Sequence, residues 1–474
     1  MNYLKRIPGI FIFYIIFCLF LYGYSFAQEP NQHKQLEPFD RDERVLILAP
    51  HPDDEAIACA GVIQEALSKG AKVKIAYLTY GEHNEFAFIV YKKRIILKKN
   101  EFIQMGQVRR QEAIKAMRLL GLDEDDLIFL GYPDFGTFSI FTRYWNTDKP
   151  FSSLLTRISS VPYKESLSFK APYLGENILA DLKKVILDYR PDKIFVSHPA
   201  DVNVDHKSFY LFLQIALAQL KGSIPYPKVY PYLVHHSGWP LPRHYHPQLD
   251  LNPPEGLLDS QIRWLRFELA PEQLDKKKEA ILYYKSQTES SAFYLLSFAR
   301  KNELFGDYPA INLNNQLSFN EKVASFFGAS KMFSDIGTES NYAENNIPGD
   351  KGRVSYAVLD KNLVIKIEKP ENISYRFYTI AYIFGYNHKM PFSNMPKIRV
   401  VTRRNSFKVF DGKKLINPQG ISLNLSSAVL ILKIPLEVLG SPDFILASIR
   451  SYVGKDQDEG SPVYVTGFRR ININ

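Results

Sequence analysis

His51, Asp53 and Asp54 share one short turn, His51-Pro52-Asp53-Asp54-Glu55. An imidazole and a carboxylate three residues apart at a strand-to-helix turn can converge on one point. That is the start of a divalent-metal site, and it needs a third ligand. His206, in the pair Asp205-His206 far along the chain, supplies one. Two histidines and one carboxylate leave a coordination position open to water, whose pKa the ion lowers toward neutrality. The ion also polarises a carbonyl. Asp53, beside Asp54 but pointing elsewhere, is placed to take a proton from that water and later return it to a leaving amine. The bland alternative is a polar loop in which Asp53 or Asp54 caps the next helix. A second acid–histidine cluster at another strand end argues against it.

Such a site needs elements that hold its parts together. Short apolar strands are expected at residues 44–50, 73–79, 126–130, 193–197 and 229–236. Helical patterns over 56–69, 107–120 and 178–189 alternate with them. That alternation predicts an α/β fold, a Rossmann-like, mostly parallel sheet flanked by helices. The polar clusters stand at the carboxyl ends of its strands, where such sheets do their chemistry. From residue 353 on, short alternating runs separated by turn signals predict an antiparallel β-sandwich. The expected organisation is an export segment over 1–27, a lead-in over 28–43, a catalytic domain over 44–310, a linker or boundary over 311–352 and the sandwich over 353–474.

Composition narrows the classes. With 46% hydrophobic and 23% charged residues, the chain is neither disordered nor collagen-like. A formal charge of +9 over 474 residues is too diffuse to demand an acidic partner. The turn after the first strand is acidic and lacks a Gly-rich loop, which disfavours a dinucleotide. No basic stretch interleaved with aromatics resembles a nucleic-acid face, and the run at 91–99, YKKRIILKK, reads as a solvated surface. At the N-terminus, Lys5 and Arg6 precede an apolar stretch that closes on Ser25-Phe26-Ala27. This is signal-peptide grammar and predicts an exported, periplasmic or extracellular protein. Left uncut, the same stretch is long enough to anchor the chain in a membrane. Cys18 would leave with the signal and Cys59 reads as packing, so no disulfide is expected.

The residues also carry a resemblance. Pro50-His51-Pro52-Asp53-Asp54-Glu55 resembles the first signature of the PIG-L / LmbE family of metal-dependent N-acetylglucosaminyl deacetylases. Arg109-Arg110-Gln111-Glu112 followed by Leu120-Gly121, the strand end Phe129-Leu130-Gly131-Tyr132-Pro133-Asp134, and Asn203-Val204-Asp205-His206 are similar to its later motifs. So are Tyr284-Lys285-Ser286-Gln287 and the segment 298–305. The resemblance covers about residues 43 to 305. It implies zinc, or another divalent ion, on His51, Asp54 and His206, with Asp53 as general base. It places Asp205 and Arg109 in the catalytic group, although an Arg three residues before Glu112 could instead be structural. One departure stands out. The family often has a histidine where this chain has Asn203, which can offer a hydrogen bond to the oxyanion but no charge. His198, His235 or His236 would then bring the missing imidazole.

His83, His198, His236 and Trp239 are the expected substrate contacts. His83 lies in a strand-end cluster, and Trp239 in a Pro- and aromatic-rich stretch from Ser237 to Arg263. The implied reaction is hydrolysis of the N-acetyl group of an amino sugar in an exported glycan or glycoconjugate. Two alternatives share the sequence. One is an amidohydrolase of the same mechanism acting on a small-molecule conjugate. The other is a non-catalytic glycan-binding envelope protein. The sandwich, faintly similar to carbohydrate-binding modules, would bind sugar, dock on the first domain or hold the enzyme near the envelope.

Overall fold

The computed structural model describes residues 34–83, 91, 99–258, 261–313, 344–346, 353–368, 377–403, 406–417, 419–425, 429–453 and 462–473. The expected export segment, most of the basic run at 91–99 and most of the expected linker lie outside the described residues.

The first sheet holds β1 (Lys34–Gln35), β2 (Arg44–Ala49), β3 (Lys72–Thr79), β4 (Leu127–Tyr132), β5 (Lys193–Ser197), β6 (Lys228–Tyr232), β7 (Leu265–Glu268) and β8 (Asn302–Phe305). Its order is β1-β7-β8-β6-β5-β2-β3-β4. The strands from β6 to β4 are mutually parallel, while β8 pairs antiparallel with both β6 and β7. From β2 the chain winds outward to β3 and β4, then returns to β5 on the other side of β2 and continues to β6. The direction of winding reverses between β2 and β5. In open parallel sheets a crevice forms beyond the strand ends at that reversal. His51 follows β2 and His198 to His206 follow β5, so topology alone brings the two acid–histidine clusters side by side.

Helices cover both faces. They are α1 (Asp54–Ser68), α2 (Lys99–Leu119), α3 (Thr137–Arg143), α4 (Gly175–Tyr189), α5 (Val204–Gln219), α6 (Pro271–Tyr283) and α7 (Lys285–Leu295). In β2, Val45, Ile47 and Ala49 enter one core while Leu46 and Leu48 enter the other. Period-two alternation with both sides apolar is what a strand buried on two faces requires. Expected strand positions agree with the observed ones to within a few residues. The antiparallel extension by β7 and β8, and the helices α3 and α5, were not anticipated.

One buried ion pair ties the antiparallel extension to the helices. Lys277 on α6 lies 2.8 Å from Glu303 on β8, and both side chains are inaccessible to solvent. Glu303 also accepts from the backbone N–H groups of Gly61 and Val62 on α1. Removing one partner of a buried pair leaves an uncompensated charge. Lys277→Met is therefore expected to lower stability by about 3–5 kcal/mol, read as a shift in the denaturant midpoint.

The C-terminal region is a β-sandwich. A five-stranded antiparallel sheet runs in the order 344–346, 353–359, 362–368, 429–435, 422–425. It faces a larger sheet built mainly on Lys397–Arg403, Phe377–Tyr386 and Phe444–Val453. Ile311–Leu313 joins that larger sheet in parallel with Arg469–Ile473. The strand Phe377–Tyr386 is buried on both sides over residues 379–386. Ala381 and Ile383 face the sandwich core, and Ile380, Tyr382 and Phe384 join the core of the first region. There Phe138 and Phe141 of α3 meet Tyr382 and Phe384 edge-on, at centroid distances of 5.4 and 5.3 Å. Among the described residues no helix is long and apolar enough to cross a membrane.

Candidate metal centre and cleft

His51, Asp54 and His206 each bring one ligand atom to within 4.8 Å of the others, and all three are buried. Asp54 Oδ2 sits 3.2 Å from His51 Nδ1 and 3.2 Å from His206 Nε2. Both His206 ring nitrogens are buried without an aligned hydrogen bond, and Nε2 is the one turned toward Asp54. A buried ring nitrogen without a hydrogen bond, beside a carboxylate oxygen, leaves a donor that a cation could take up. Two imidazoles and a carboxylate are the donor set of a catalytic zinc site. The residues therefore fit a divalent ion.

The opposite edges of both imidazoles face carboxylates. His51 Nε2 lies 3.1 Å from Asp134 Oδ1 and 3.4 Å from Asp205 Oδ2. His206 Nδ1 lies 3.1 Å from Asp201 Oδ2. Carboxylates behind metal-binding histidines fix the tautomer and raise the basicity of the ligand nitrogen. Burial opposes charge on His51, but Asp134, Asp205 and Asp54 outweigh it and push its pKa well up. Burial likewise opposes charge on His206, and Asp201 and Asp54 push it up to about 9. The carboxylate cluster thus places a strong demand for positive charge on this spot. Burial would raise Asp54, yet His206 and His51 hold it well below the usual carboxylate range. The triads His51–Asp134–Asp205 and Asp201–His206–His235 also bring their ligand atoms within 4.8 Å of one another. They use the ring edges turned away from Asp54, so they read best as the supporting layer of one centre.

Asp53 occupies the N-cap position of α1 but makes no side-chain cap bond, which disposes of the bland alternative for it. Its backbone is held at φ 131°, a strained value for a residue other than glycine. Two contacts hold it there. Its N–H donates to Glu55 Oε2 at 3.1 Å, and Arg109 Nη2 pairs with its Oδ1 at 3.2 Å. Burial raises the Asp53 pKa to about 6, against the pull of Arg109. Arg109 also donates to the carbonyls of Pro52 and Gly81. Gly81 has φ +67°, and a Cβ there would meet Arg109 Nη1 at 2.2 Å, so the guanidinium needs glycine at that position. Glu112, three residues on, does not pair with Arg109. It accepts from the backbone N–H and the hydroxyl of Ser286, anchoring the start of α7. Arg110 pairs with Glu124 instead.

Asn203 is the N-cap of α5, its Oδ1 accepting from the Asp205 N–H at 2.8 Å. Its NH₂ is the group it can offer a substrate oxygen. Asp205 is wholly buried and binds the hydroxyl of Thr137 and the backbone N–H groups of Phe135 and Thr137. A cavity of about 350 Å³ opens in front of these groups, with Asp205 and His206 buried behind its wall. Its lining includes His51, Asp53, Asp54, His83, Arg109, Asp134, Asn203, His235, Gln287 and Tyr294.

Residues 46–217 match the profile of the PIG-L family, described as GlcNAc-PI de-N-acetylase. The chain carries a PIG-L-family domain. Within it, 78 residues are 32% identical to the 1D-myo-inositol 2-acetamido-2-deoxy-alpha-D-glucopyranoside deacetylase of Corynebacterium efficiens. That match covers 16% of this chain and 24% of the relative, so the chain spans about a quarter of that relative's length. The N,N'-diacetylchitobiose deacetylase of Pyrococcus horikoshii is similar at 17% identity and a TM-score of 0.34, over 64% of this chain and 94% of that one. The 4-carboxy-2-hydroxymuconate hydratase GalB of Pseudomonas putida is similar at 18% identity and a TM-score of 0.34, over 54% and 82%.

Three expected substrate contacts of the PIG-L-type region lie elsewhere. His198 is fully buried, stacked on Trp264 and against Tyr308, with its Nδ1 accepting from the Ala200 N–H. Trp239 is buried on Phe298 and donates to the Asn252 carbonyl, a packing role. His236 turns away from the cavity and bridges to Trp239. Alternation after β6 sends its neighbour His235 in instead. The His235 ring lies edge-on to His206 at 4.5 Å, its Nδ1 3.4 Å from Asp201. His83 does line the cavity. Asp134, Asp201 and Glu82 had no assigned role in the sequence. Their signal was position, since each follows a parallel strand.

Burial lowers the His198 pKa to about 3. A histidine kept neutral in the fold but free to protonate near pH 6.5 when unfolded supports stability above pH 6.5. That support is lost as pH falls from 6.5 toward 3, at a slope approaching ~1.4 kcal/mol per unit. His198→Asn keeps an acceptor for Ala200 and should flatten this acid-side loss, measured as unfolding free energy between pH 4 and 7.

Proposed function

We propose that this protein is a divalent-metal-dependent N-deacetylase acting on an N-acetylated amino sugar of an exported or envelope glycan. The observation that carries the reading is the convergence of His51, Asp54 and buried His206 in a PIG-L-family domain, at a cleft that His51, Asp54 and Asp53 line. The Corynebacterium relative is named for deacetylating an acetamido sugar, which supports the substrate class. The signal-like N-terminus supports export.

Zinc suits the donor set, and when bound it supplies a Lewis acid that polarises a carbonyl and acidifies water. The chain's own groups perform the remaining work. Asp53 accepts the proton of the attacking water and returns it to the amide nitrogen as the C–N bond breaks, releasing acetate and a free amine. Arg109 holds the Asp53 carboxylate at its strained position. The Asn203 NH₂ donates to the carbonyl oxygen as negative charge develops there. His235 brings to the cleft the imidazole that position 203 lacks.

The test is acetate release from N-acetylated mono- and oligosaccharides, with EDTA and with zinc restored. Release that disappears with chelator and returns with metal is expected. Metal-replete protein that frees no acetate from any N-acetylated sugar would overturn the proposal.

A further inference from the structure

Phe135 is an anomaly at the mouth of the cleft. It follows Asp134 after β4 and lines the cavity, yet the residue is 52% exposed. Its backbone is left-handed, φ +57°, a conformation that bulky L-residues avoid. The strain is imposed from below, where the Phe135 N–H donates to buried Asp205 Oδ2 at 2.7 Å. The ring is also supported. His83 lies against it at 5.2 Å, and the His83 N–H donates to Asp134 Oδ2 at 2.8 Å. An apolar ring left in water, on a strained and doubly anchored backbone, is held there for something other than packing.

We infer that Phe135, braced by His83, is a stacking platform for the sugar unit next to the one being deacetylated. A cavity of about 350 Å³ lies at the lower end of the small-molecule range and suits one N-acetylated sugar unit. The next ring of a longer glycan must then lie at the mouth. One face of a pyranose carries only C–H groups and pairs well with an aromatic face. The platform makes the enzyme prefer an oligosaccharide to a free monosaccharide. This rests on the deacetylase reading above.

The experiment compares N-acetylglucosamine with its β-1,4-linked disaccharide and trisaccharide, using wild type, Phe135→Gly and Phe135→Trp. Glycine tolerates the left-handed backbone, so the fold is kept. The expected result is a ratio of trisaccharide to monosaccharide kcat/KM at least tenfold lower in Phe135→Gly, mostly through KM, and restored in Phe135→Trp. An unchanged ratio would overturn the inference. Trisaccharide binding, measured by calorimetry, reads the platform without turnover. If no acetate is freed, the deacetylase reading fails. Binding weakened by Phe135→Gly would still support the platform, and absent or equal binding would overturn it.

Discussion

Asp53→Asn is expected to lower amide hydrolysis by about 10²–10⁴-fold while leaving the bound metal in place, since general acid–base groups contribute on that scale. The substitution keeps shape and removes proton-accepting capacity. Asp53 is not among the three converging ligands, so metal content measured by elemental analysis should match wild type. The effect should fall on kcat, because Asp53 serves the reacting water and the departing amine. Unchanged turnover would remove Asp53 from the mechanism. Equal loss of metal and activity would instead make it a ligand.

His206→Ala should abolish metal binding, and with it activity, by ~10³-fold or more, because the Lewis acid supplies several kcal/mol at the transition state. It also leaves Asp54 and Asp201 buried without the imidazole between them. A loss of stability is therefore expected alongside. The thermal midpoint of wild type with and without EDTA separates the two effects. Full metal occupancy in His206→Ala would refute the assigned centre.

The parallel sheet and its strand ends were legible because each central strand is a short apolar run and each cluster of acids and histidines follows one. The sandwich strands at 353–359, 362–368 and 444–453 were legible from alternation. Strands of three or four residues, such as Ile311–Leu313 and Ser422–Leu425, carry too few side chains to show a period. In the site, His51, Asp53 and Asp54 could be picked out because they share one turn, and His206 because it pairs with Asp205 after another strand. His198 could not be told from His235 that way. Both are histidines at strand ends, and only packing against Trp264 and Tyr308 makes the first a core residue. Asp134 and Asp201 were hidden for a related reason. Asp134 meets His51, which follows a different strand, and such pairing leaves no mark on local sequence; Asp201 stands five residues before His206, but an acid in that loop reads equally well as a turn residue.

Helix α3 is short, yet it has two masters. At its start, Thr137 holds Asp205, which stands behind His51. Further along, Phe138 and Phe141 are embedded in aromatics of the sandwich. The joint between the two regions is therefore oily and permanent, unlike a tether that lets modules swing. Cutting the chain near residue 310 would bare those rings to water and leave a sticky fragment prone to self-association. It would also free the helix whose first turn steadies the wall of the catalytic cleft. The sandwich is best regarded as part of the chassis that holds the cleft in shape.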